Sequence, residues 1–279
     1  MKILAKEIIA DYSGIKIIQL IVEAPEISRK ARAGQFVVIM VSEKGERIPL
    51  TIVEADAQAG RIKLIFQEAG LTTRVLGARS AGDDLFALLG PLGHPTEISK
   101  YGKVILVAGG VGIAEILPVA RALKQAGNQV ISILGAKNQA LLILEKEIKA
   151  YSDEFYPVTD DGSSGKKGFT TDKLEELLSQ GKYDLIYAVG PIPMMKKVSA
   201  ISQAAGVKIL VSLNALMVDA TGMCGCCRVT VGGQVKFSCI DGPDFDGQYV
   251  DWEELAKRNQ AYNQQEKHIC SHFPSAKTP

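Results

Sequence analysis

The feature that most constrains this 279-residue chain is an alternation of strand-like and helix-like segments that begins near residue 103. Runs rich in Val, Ile and Leu predict strands at 104–108, 129–134, 154–159, 184–189 and 208–212. Helix-like stretches lie between them, at 114–125, 139–151, 171–179 and 194–205. This alternation predicts a doubly wound parallel sheet with helices on both faces, an α/β nucleotide-binding domain over residues 103–213.

The first 98 residues have a different rhythm. Short runs rich in Ile and Val are separated by turn residues, at 15–22, 35–41, 50–53, 62–66 and 85–89. Their spacing predicts an antiparallel β-barrel or sandwich over residues 1–98. Residues 214–250 are dense in Gly, Cys and Asp with little periodicity, and 250–262 is typical of one amphipathic helix within a C-terminal helix and tail, 251–279. The length suits two domains with an appendage.

Charge and hydropathy exclude several function classes. The formal charge is +1, with 32 basic and 31 acidic residues spread along the chain, so we expect no nucleic-acid partner. The N-terminal segment is interrupted by charges and lacks the apolar run of a secretory signal. The most apolar stretch, 104–119, is broken by glycines and Glu115, which argues against a membrane span. We therefore expect a cytoplasmic protein.

All five cysteines follow residue 223, and such an odd, clustered set favours metal ligands over disulfides. Asp219, Cys224, Cys227 and Cys239 have a spacing that suits a redox metal cluster. Taken alone, the four residues also suit a tetrahedral zinc site. Cys226 is a spare thiol that can compete as a ligand, and the spacing favours Cys227.

A glycine turn follows the first strand of the predicted α/β domain. Gly109, Gly110 and Gly112 stand where a helix begins, so backbone amides there can approach a phosphate. A tight strand-to-helix turn with no ligand is the alternative. After the next strand the chain has no acidic residue to bind a ribose, and Lys137 is either a partner for a 2′-phosphate or a solvated lysine, which leaves NAD and NADP both open.

Two more loops follow predicted strands at the edge where doubly wound sheets bind ligands. One contains Asp160, Asp161 and Gly162, and the other contains Gly190, Pro191 and Met194. Each is also compatible with ordinary turn chemistry. Their shared edge favours a nucleotide site.

In the N-terminal region, an arginine followed closely by a threonine is the most informative stretch. Arg47 can clamp a pyrophosphate with paired hydrogen bonds, and the Thr51 hydroxyl can reach a flavin ring nitrogen. An exposed arginine before an edge strand is the alternative. Further small or hydroxyl residues suited to a phosphate or a ring follow at Gly70, Thr72, Thr73 and the turn 90–93.

The order of these motifs resembles a known family. R-x-P-L-T, G-P-L-G, A-G-G-V-G, T-D-D-G-S, V-G-P-x-P-M-M and a C-terminal cysteine cluster follow one another as in the ferredoxin reductase-like flavoproteins. The narrower resemblance is to electron-transfer subunits of the dihydroorotate dehydrogenase type, and within these to the small-subunit branch found in NADH-dependent ferredoxin:NADP oxidoreductases. It covers nearly the whole chain.

The resemblance implies three cofactors: FAD in the barrel, NAD(H) or NADP(H) on the glycine-rich edge, and a [2Fe–2S] cluster. It places the FAD phosphates near Arg47, Gly70, Thr72 and Thr73, and the isoalloxazine along Pro49, Leu50, Thr51 and Ile52, with Thr51 near N5. It also implies iron ligation by Asp219, which replaces the first Cys of the family's C-x4-C-x2-C pattern, with Cys224, Cys227 and Cys239.

Two positions depart from the wider reductase family. Leu50 replaces a ring-stacking Tyr, and Glu115 replaces a Pro beside the nicotinamide. A carboxylate at that place can bond the carboxamide or respond to flavin reduction, so we take Thr51 and Glu115 as the catalytic candidates.

The function implied is electron transfer from NAD(P)H through FAD and the [2Fe–2S] cluster to a larger subunit in a heterodimer. That partner would carry its own FAD and [4Fe–4S] clusters and join NADH, NADPH and ferredoxin in electron bifurcation. A dihydroorotate relay is the first alternative, and a zinc-stabilised nucleotide-sensing module is the second. His268, Cys270 and His272 are expected to belong to a tail or docking segment rather than a second metal site.

Overall fold

The computed structural model describes residues 1–272, with side chains described to residue 269. The end of the predicted tail, 273–279, and the side chains of Cys270 and His272 lie outside the described residues.

The N-terminal region is built from antiparallel strands. Its sheet has the order β1-β2-β5-β4-β3-β6, and backbone bonds from Ile3 to Asp83 and from Leu85 to Met1 join its first edge to the segment before its last strand. This confirms the predicted antiparallel architecture, while β1 and the helix α2 were not predicted. The elements are β1 (Ile3–Tyr12), β2 (Ile15–Glu23), α1 (Pro25–Ser28), β3 (Phe36–Met40), β4 (Arg47–Asp56), β5 (Arg61–Gln67), α2 (Leu71–Gly77) and β6 (Ala87–Leu92).

The second region alternates strands and helices as predicted, with one difference. The predicted helix over 139–151 is wrong: a 3-10 helix, Gln139–Leu141, is followed by a separate short helix, and Leu144 between them has a φ of 57°. The Asn138 side chain caps the first piece, which favours a break over a continuous helix. The elements are β7 (Lys103–Gly109), α3 (Gly112–Gln125), β8 (Gln129–Ala136), α4 (Glu145–Lys149), β9 (Glu154–Thr159), β10 (Lys166–Lys167), α5 (Thr170–Gln180), β11 (Leu185–Val189), α6 (Ile192–Ala205) and β12 (Lys208–Ser212).

The C-terminal region has more regular structure than its composition suggested. A hairpin occupies part of the Gly- and Cys-rich stretch. The helix predicted over 250–262 is present with shorter bounds, because turns at 260–262 separate it from a second helix. The Asp251 side chain caps the first of them by accepting from the Glu254 backbone. The elements are β13 (Arg228–Val231), β14 (Gln234–Phe237), β15 (Asp244–Asp246), α7 (Trp252–Asn259) and α8 (Asn263–His272).

The strand order of the larger sheet determines where its ligand-binding edge lies. Its order is β10-β9-β8-β7-β11-β12-β15, parallel except at β15, which pairs antiparallel with β12. Strand order reverses between β7 and β11, so their carboxyl ends form the crevice where such sheets bind ligands. Among the helices of the described chain, none is both long and apolar enough to cross a bilayer.

One core joins the α/β sheet to the C-terminal region. Buried Val229, Cys227, Cys239 and Trp252 belong to the same apolar cluster as Ile209 of β12. The cysteine-rich segment is therefore packed on the α/β sheet, and the position of its cysteines depends on that core.

Candidate functional site

The glycine turn after β7 permits a close approach between the start of α3 and β11. A Cβ on Gly112 would lie 2.8 Å from the Val189 carbonyl oxygen, and one on Gly109 would lie 2.8 Å from the Met194 sulfur. Gly110 has a φ of 60° with open space above it. Side chains at these positions would separate β11 from α3 or fill the crevice.

A nucleotide cleft of about 460 Å³ opens above this turn. Of the predicted nucleotide residues, Gly109, Gly110, Gly112, Gly190 and Pro191 line it, together with Glu115 and Asn214. Met194 lies behind the turn, with its sulfur near Gly109.

The other predicted nucleotide loop lies elsewhere on the sheet. Asp160, Asp161 and Gly162 follow β9, two strands away from β7. Asp161 accepts hydrogen bonds from the Ser163 backbone at 2.9 Å and from its hydroxyl at 2.6 Å. This is an Asx-type turn, the ordinary chemistry of an Asp-Gly-Ser loop.

Thr51 and Glu115 meet where the two sheets face each other. They line a ring cavity of about 280 Å³ with Pro49 and Leu50, and the Thr51 side chain is hydrogen-bonded to the Glu115 carboxylate. Burial raises the pKa of Glu115 to about 7, the Thr51 bond opposes that rise, and the charge of Asp244 adds to it. A carboxyl group that takes up and releases a proton near neutral pH therefore stands at this junction.

Asp244 is a buried carboxylate that sequence reasoning missed. It accepts hydrogen bonds from the Thr96 hydroxyl at 2.6 Å, the Tyr187 hydroxyl at 3.0 Å and the Ser212 side chain. Burial raises its pKa to about 6, against the effect of these donors. An Asp after a Gly-Pro turn gives no local sign of this role, because its partners come from three distant segments.

The predicted flavin residues lie along β4 and the start of α2. Arg47, Ile48 and Pro49 line a cluster-side cavity of about 690 Å³ whose other walls are the segment 214–219 and residues 262–269 at α8. This cavity shares Pro49 and Asn214 with the ring cavity, which shares Glu115 and Asn214 with the nucleotide cleft.

Hydroxyl groups at the start of α2 already have partners. The Thr73 hydroxyl accepts from the Gly70 backbone at 3.0 Å, and the Thr72 hydroxyl donates to the Glu46 carboxylate. Ile52 is 3% exposed and packs in the core of the N-terminal sheet. The three adjacent cavities combine apolar walls with a guanidinium and hydroxyl groups, which fits an elongated dinucleotide with a flat ring.

The predicted iron ligands form a buried half and an exposed half. Cys227 and Cys239 are each 2% exposed and their sulfurs are 3.2 Å apart. Cys224 is exposed, and the Cys226 backbone donates to its sulfur at 3.5 Å, which lowers the Cys224 pKa. Burial raises the pKa of Cys239.

Asp219 lies beside Cys224, and its side chain is 14% exposed. The Thr221 side chain and backbone hold its carboxylate and lower its pKa, and its own backbone donates to the Cys224 sulfur. Within the described residues, no three His, Cys, Asp or Glu side chains surround one point as a single metal ion requires. A two-iron cluster instead takes two ligands for each iron. The buried thiols of Cys227 and Cys239 would form one such pair, and Asp219 with Cys224 would form the other.

Two stretches of the chain match known domain families, and most of the chain matches a named protein. Residues 214–251 match the model of the iron-sulfur cluster binding domain of dihydroorotate dehydrogenase B, and residues 106–200 match an oxidoreductase NAD-binding domain. A dihydroorotate dehydrogenase B (NAD(+)) electron transfer subunit homolog from Thermotoga maritima is 50% identical over 246 residues, which cover 88% of this chain and 87% of that protein. The chain belongs to this family of electron-transfer subunits.

Relatives that are named as the electron transfer subunit itself, rather than as a homolog of it, have lower sequence identity to this chain. The electron transfer subunit from Geobacillus thermodenitrificans is 34% identical, with 78% of this chain and 86% of that protein covered. A solved structure described as an NADH-dependent reduced ferredoxin-NADP oxidoreductase, studied for flavin-based electron bifurcation, is 46% identical with a TM-score of 0.92 and 98% of both chains covered.

These findings confirm the predicted resemblance and fold class. The chain is an NAD(P)H-dependent oxidoreductase subunit, and its combination of domains supports FAD, a [2Fe–2S] cluster and NAD(P)H as cofactors. Its relatives are electron-transfer subunits, which implies a larger partner subunit. The assignment favours the redox interpretation of the cysteines over the zinc-stabilised sensing module.

Proposed function

We propose that this subunit carries electrons between NAD(P)H, FAD and a [2Fe–2S] cluster, and exchanges them with a larger subunit that holds its own FAD and [4Fe–4S] clusters. The net reaction is bifurcating exchange among NADH, NADPH and ferredoxin. The observation that carries the proposal is the adjacency of the three cavities. The glycine turn, the Thr51–Glu115 pair and the segment leading to Asp219 line neighbouring cavities that share Asn214.

The cofactors supply hydride acceptance and the release of electrons one at a time. The chain positions them and controls protons. Pro49 and Leu50 form an apolar wall that excludes water from the ring cavity, and the turn at 109–112 presents backbone amides to a phosphate. Glu115 is a buried carboxyl group at the junction whose pKa is raised to about 7, so it can take up and release a proton near neutral pH. We assign no acid–base role toward a separate organic substrate.

The cluster ligands proposed are Asp219, Cys224, Cys227 and Cys239. Asp219 and Cys224 would hold one iron, and the adjacent sulfurs of Cys227 and Cys239 would hold the other. An Asp supplies a hard, negatively charged oxygen donor to iron.

A partner would dock over the exposed half of the cluster. Met223 is 83% exposed, and Val218 and Ile240 beside the ligand loop are also exposed. Large apolar side chains grouped around a redox centre favour a protein contact there.

Purification of the native complex provides the test. Expected are flavin bands with an iron–sulfur shoulder, two irons per small subunit beyond those of the partner, and NADPH formation that requires both NADH and reduced ferredoxin. A colourless preparation containing zinc would overturn the proposal.

A dihydroorotate relay is the second candidate, because curated relatives carry that name. The same complex distinguishes the two functions when it is assayed with dihydroorotate and NAD. Rapid NAD reduction by dihydroorotate, without any effect of ferredoxin, would favour the relay.

A further inference from the structure

Arg47 and Asp219 form a direct ion pair across the cluster-side cavity. Nη1 of Arg47 donates to Oδ1 of Asp219 at 3.3 Å, although the two residues are 172 positions apart. Sequence reasoning assigned Arg47 to flavin phosphates and Asp219 to iron, with no link between them. The contact joins the flavin-binding strand β4 to the ligand loop.

Both partners are held by their surroundings. Arg47 begins β4 opposite Met40 of β3, and its Nε lies 3.4 Å from the Met40 sulfur. On the loop, the Thr221 backbone donates to Oδ2 of Asp219 at 3.0 Å, and Ala220 takes a φ of 63° between the two residues. Oδ1 therefore faces the guanidinium while Oδ2 is bound within the loop.

The pair is better protected from solvent than a typical surface ion pair. The Asp219 side chain is 14% exposed, and the Arg47 side chain is 47% exposed. A charge interaction with one partner largely buried is screened less by water and salt than an interaction between two exposed groups. A guanidinium also keeps its charge at any pH compatible with folding.

We propose that Arg47 is a positioning residue for the [2Fe–2S] centre: it fixes the Asp219 carboxylate in the ligand loop and raises the reduction potential of the cluster. This rests on the ligand set of the proposed function. One-electron reduction, with the electron supplied by the flavin, adds a negative charge to the centre. A fixed cation beside a ligand stabilises that more negative form.

Redox titration of the native complex, followed by EPR with FAD in excess, tests the proposal. Arg47→Gln is expected to shift the cluster potential to a more negative value, and Arg47→Lys to shift it less because the charge is kept. Arg61→Gln is the matched control, because Arg61 also forms a 3.3 Å pair, with Asp56, and its side chain is 51% exposed in the same sheet. The control is expected to leave the potential unchanged.

Two further variants separate failure of the inference from failure of the ligand assignment. Asp219→Cys and Asp219→Asn should alter the EPR spectrum. If they do and Arg47→Gln leaves the potential at the wild-type value, the inference is wrong and the ligand set stands. If neither Asp219 variant alters the spectrum, the ligand assignment fails and the inference fails with it. Circular dichroism and flavin content of each variant exclude unfolding or FAD loss as the cause of a shift.

Discussion

Two carboxylates with raised pKa values stand at the junction of the domains. Glu115 bonds to Thr51 in the ring cavity, and Asp244 lies close enough for its charge to raise the Glu115 pKa further. Within the described residues, the hydrogen-bond partners of Glu115 and Asp244 include no cation that would balance a negative charge on either carboxylate. Such a pair favours binding of at least one proton at neutral pH.

Glu115→Gln should change the pH profile of flavin reduction by NADH. Because the Glu115 pKa is about 7, its protonation changes over about pH 6 to 8, and a glutamine removes that change. Stopped-flow absorbance across this range measures the rate. Glu26→Gln, at an exposed glutamate paired with Arg29, is the control. A variant profile that matches the wild type would exclude a role for Glu115 in the step.

Asp244→Asn should change how stability depends on pH. The Asp244 pKa rises from 3.8 unfolded to about 6 folded, so its contribution is fully present below about pH 4 and is lost as pH rises through about 6. Glu115 acts in the same direction at higher pH. Relative to the asparagine variant, the wild type should lose about 3 kcal/mol between these limits. Urea unfolding at several pH values measures this, and parallel curves for the two proteins would contradict it.

At the scale of elements, local sequence was most reliable for strands of the α/β sheet. The segments 154–159 and 208–212 were predicted with the observed bounds, because apolar runs between turn residues leave little choice. The helix predicted at 139–151 was wrong because a local cap interrupts the pattern, and the helix predicted at 250–262 is present but ends earlier, at Asn259, where a turn follows. The periodic pattern of apolar residues alone does not indicate where a helix is interrupted.

Gly112→Ala should weaken nucleotide binding and stability together. The new Cβ would meet the Val189 carbonyl oxygen at 2.8 Å, and the other nearest atoms belong to the backbone of Val189 and Gly190, so no flexible side chain can move away. We expect a loss of about 1–3 kcal/mol in unfolding free energy and a weaker Kd for NADH, measured by urea unfolding and flavin-quenching titration. Gly181→Ala is the control, since its Cβ would make only an ordinary 3.5 Å contact with Tyr183. Equal effects of the two substitutions would refute the packing argument.

At the scale of the molecule, the cluster segment and the nucleotide domain fold around one core. β15 extends the α/β sheet, and Trp252 packs into the same apolar cluster with its Nε1 donating to the Gly247 carbonyl at 3.2 Å. The buried cysteines Cys227 and Cys239 belong to that cluster. Stability of the core and placement of the proposed iron ligands are therefore linked.

Trp252→Ala should destabilise the protein by about 3–5 kcal/mol and lower its iron content. The side chain is 9% exposed, so its loss leaves a cavity beside the ligand segment. Thermal unfolding and iron determination on the purified complex measure both effects. Tyr249→Ala, at a side chain that is 61% exposed, is the control and should change neither. Retention of full iron content despite lost stability would contradict the linkage.

The sequence by itself determined the order of the domains, most strands of the α/β sheet, the glycine turn and the spacing of the proposed iron ligands. These depend on residues close together in the chain, where periodicity and turn chemistry act. Only the tertiary structure decided that Thr51 meets Glu115, that Arg47 pairs with Asp219 and that Asp244 binds Thr96 and Tyr187. The physical reason is the same in each case. Such contacts join side chains from distant segments, and folding alone brings them within hydrogen-bond distance.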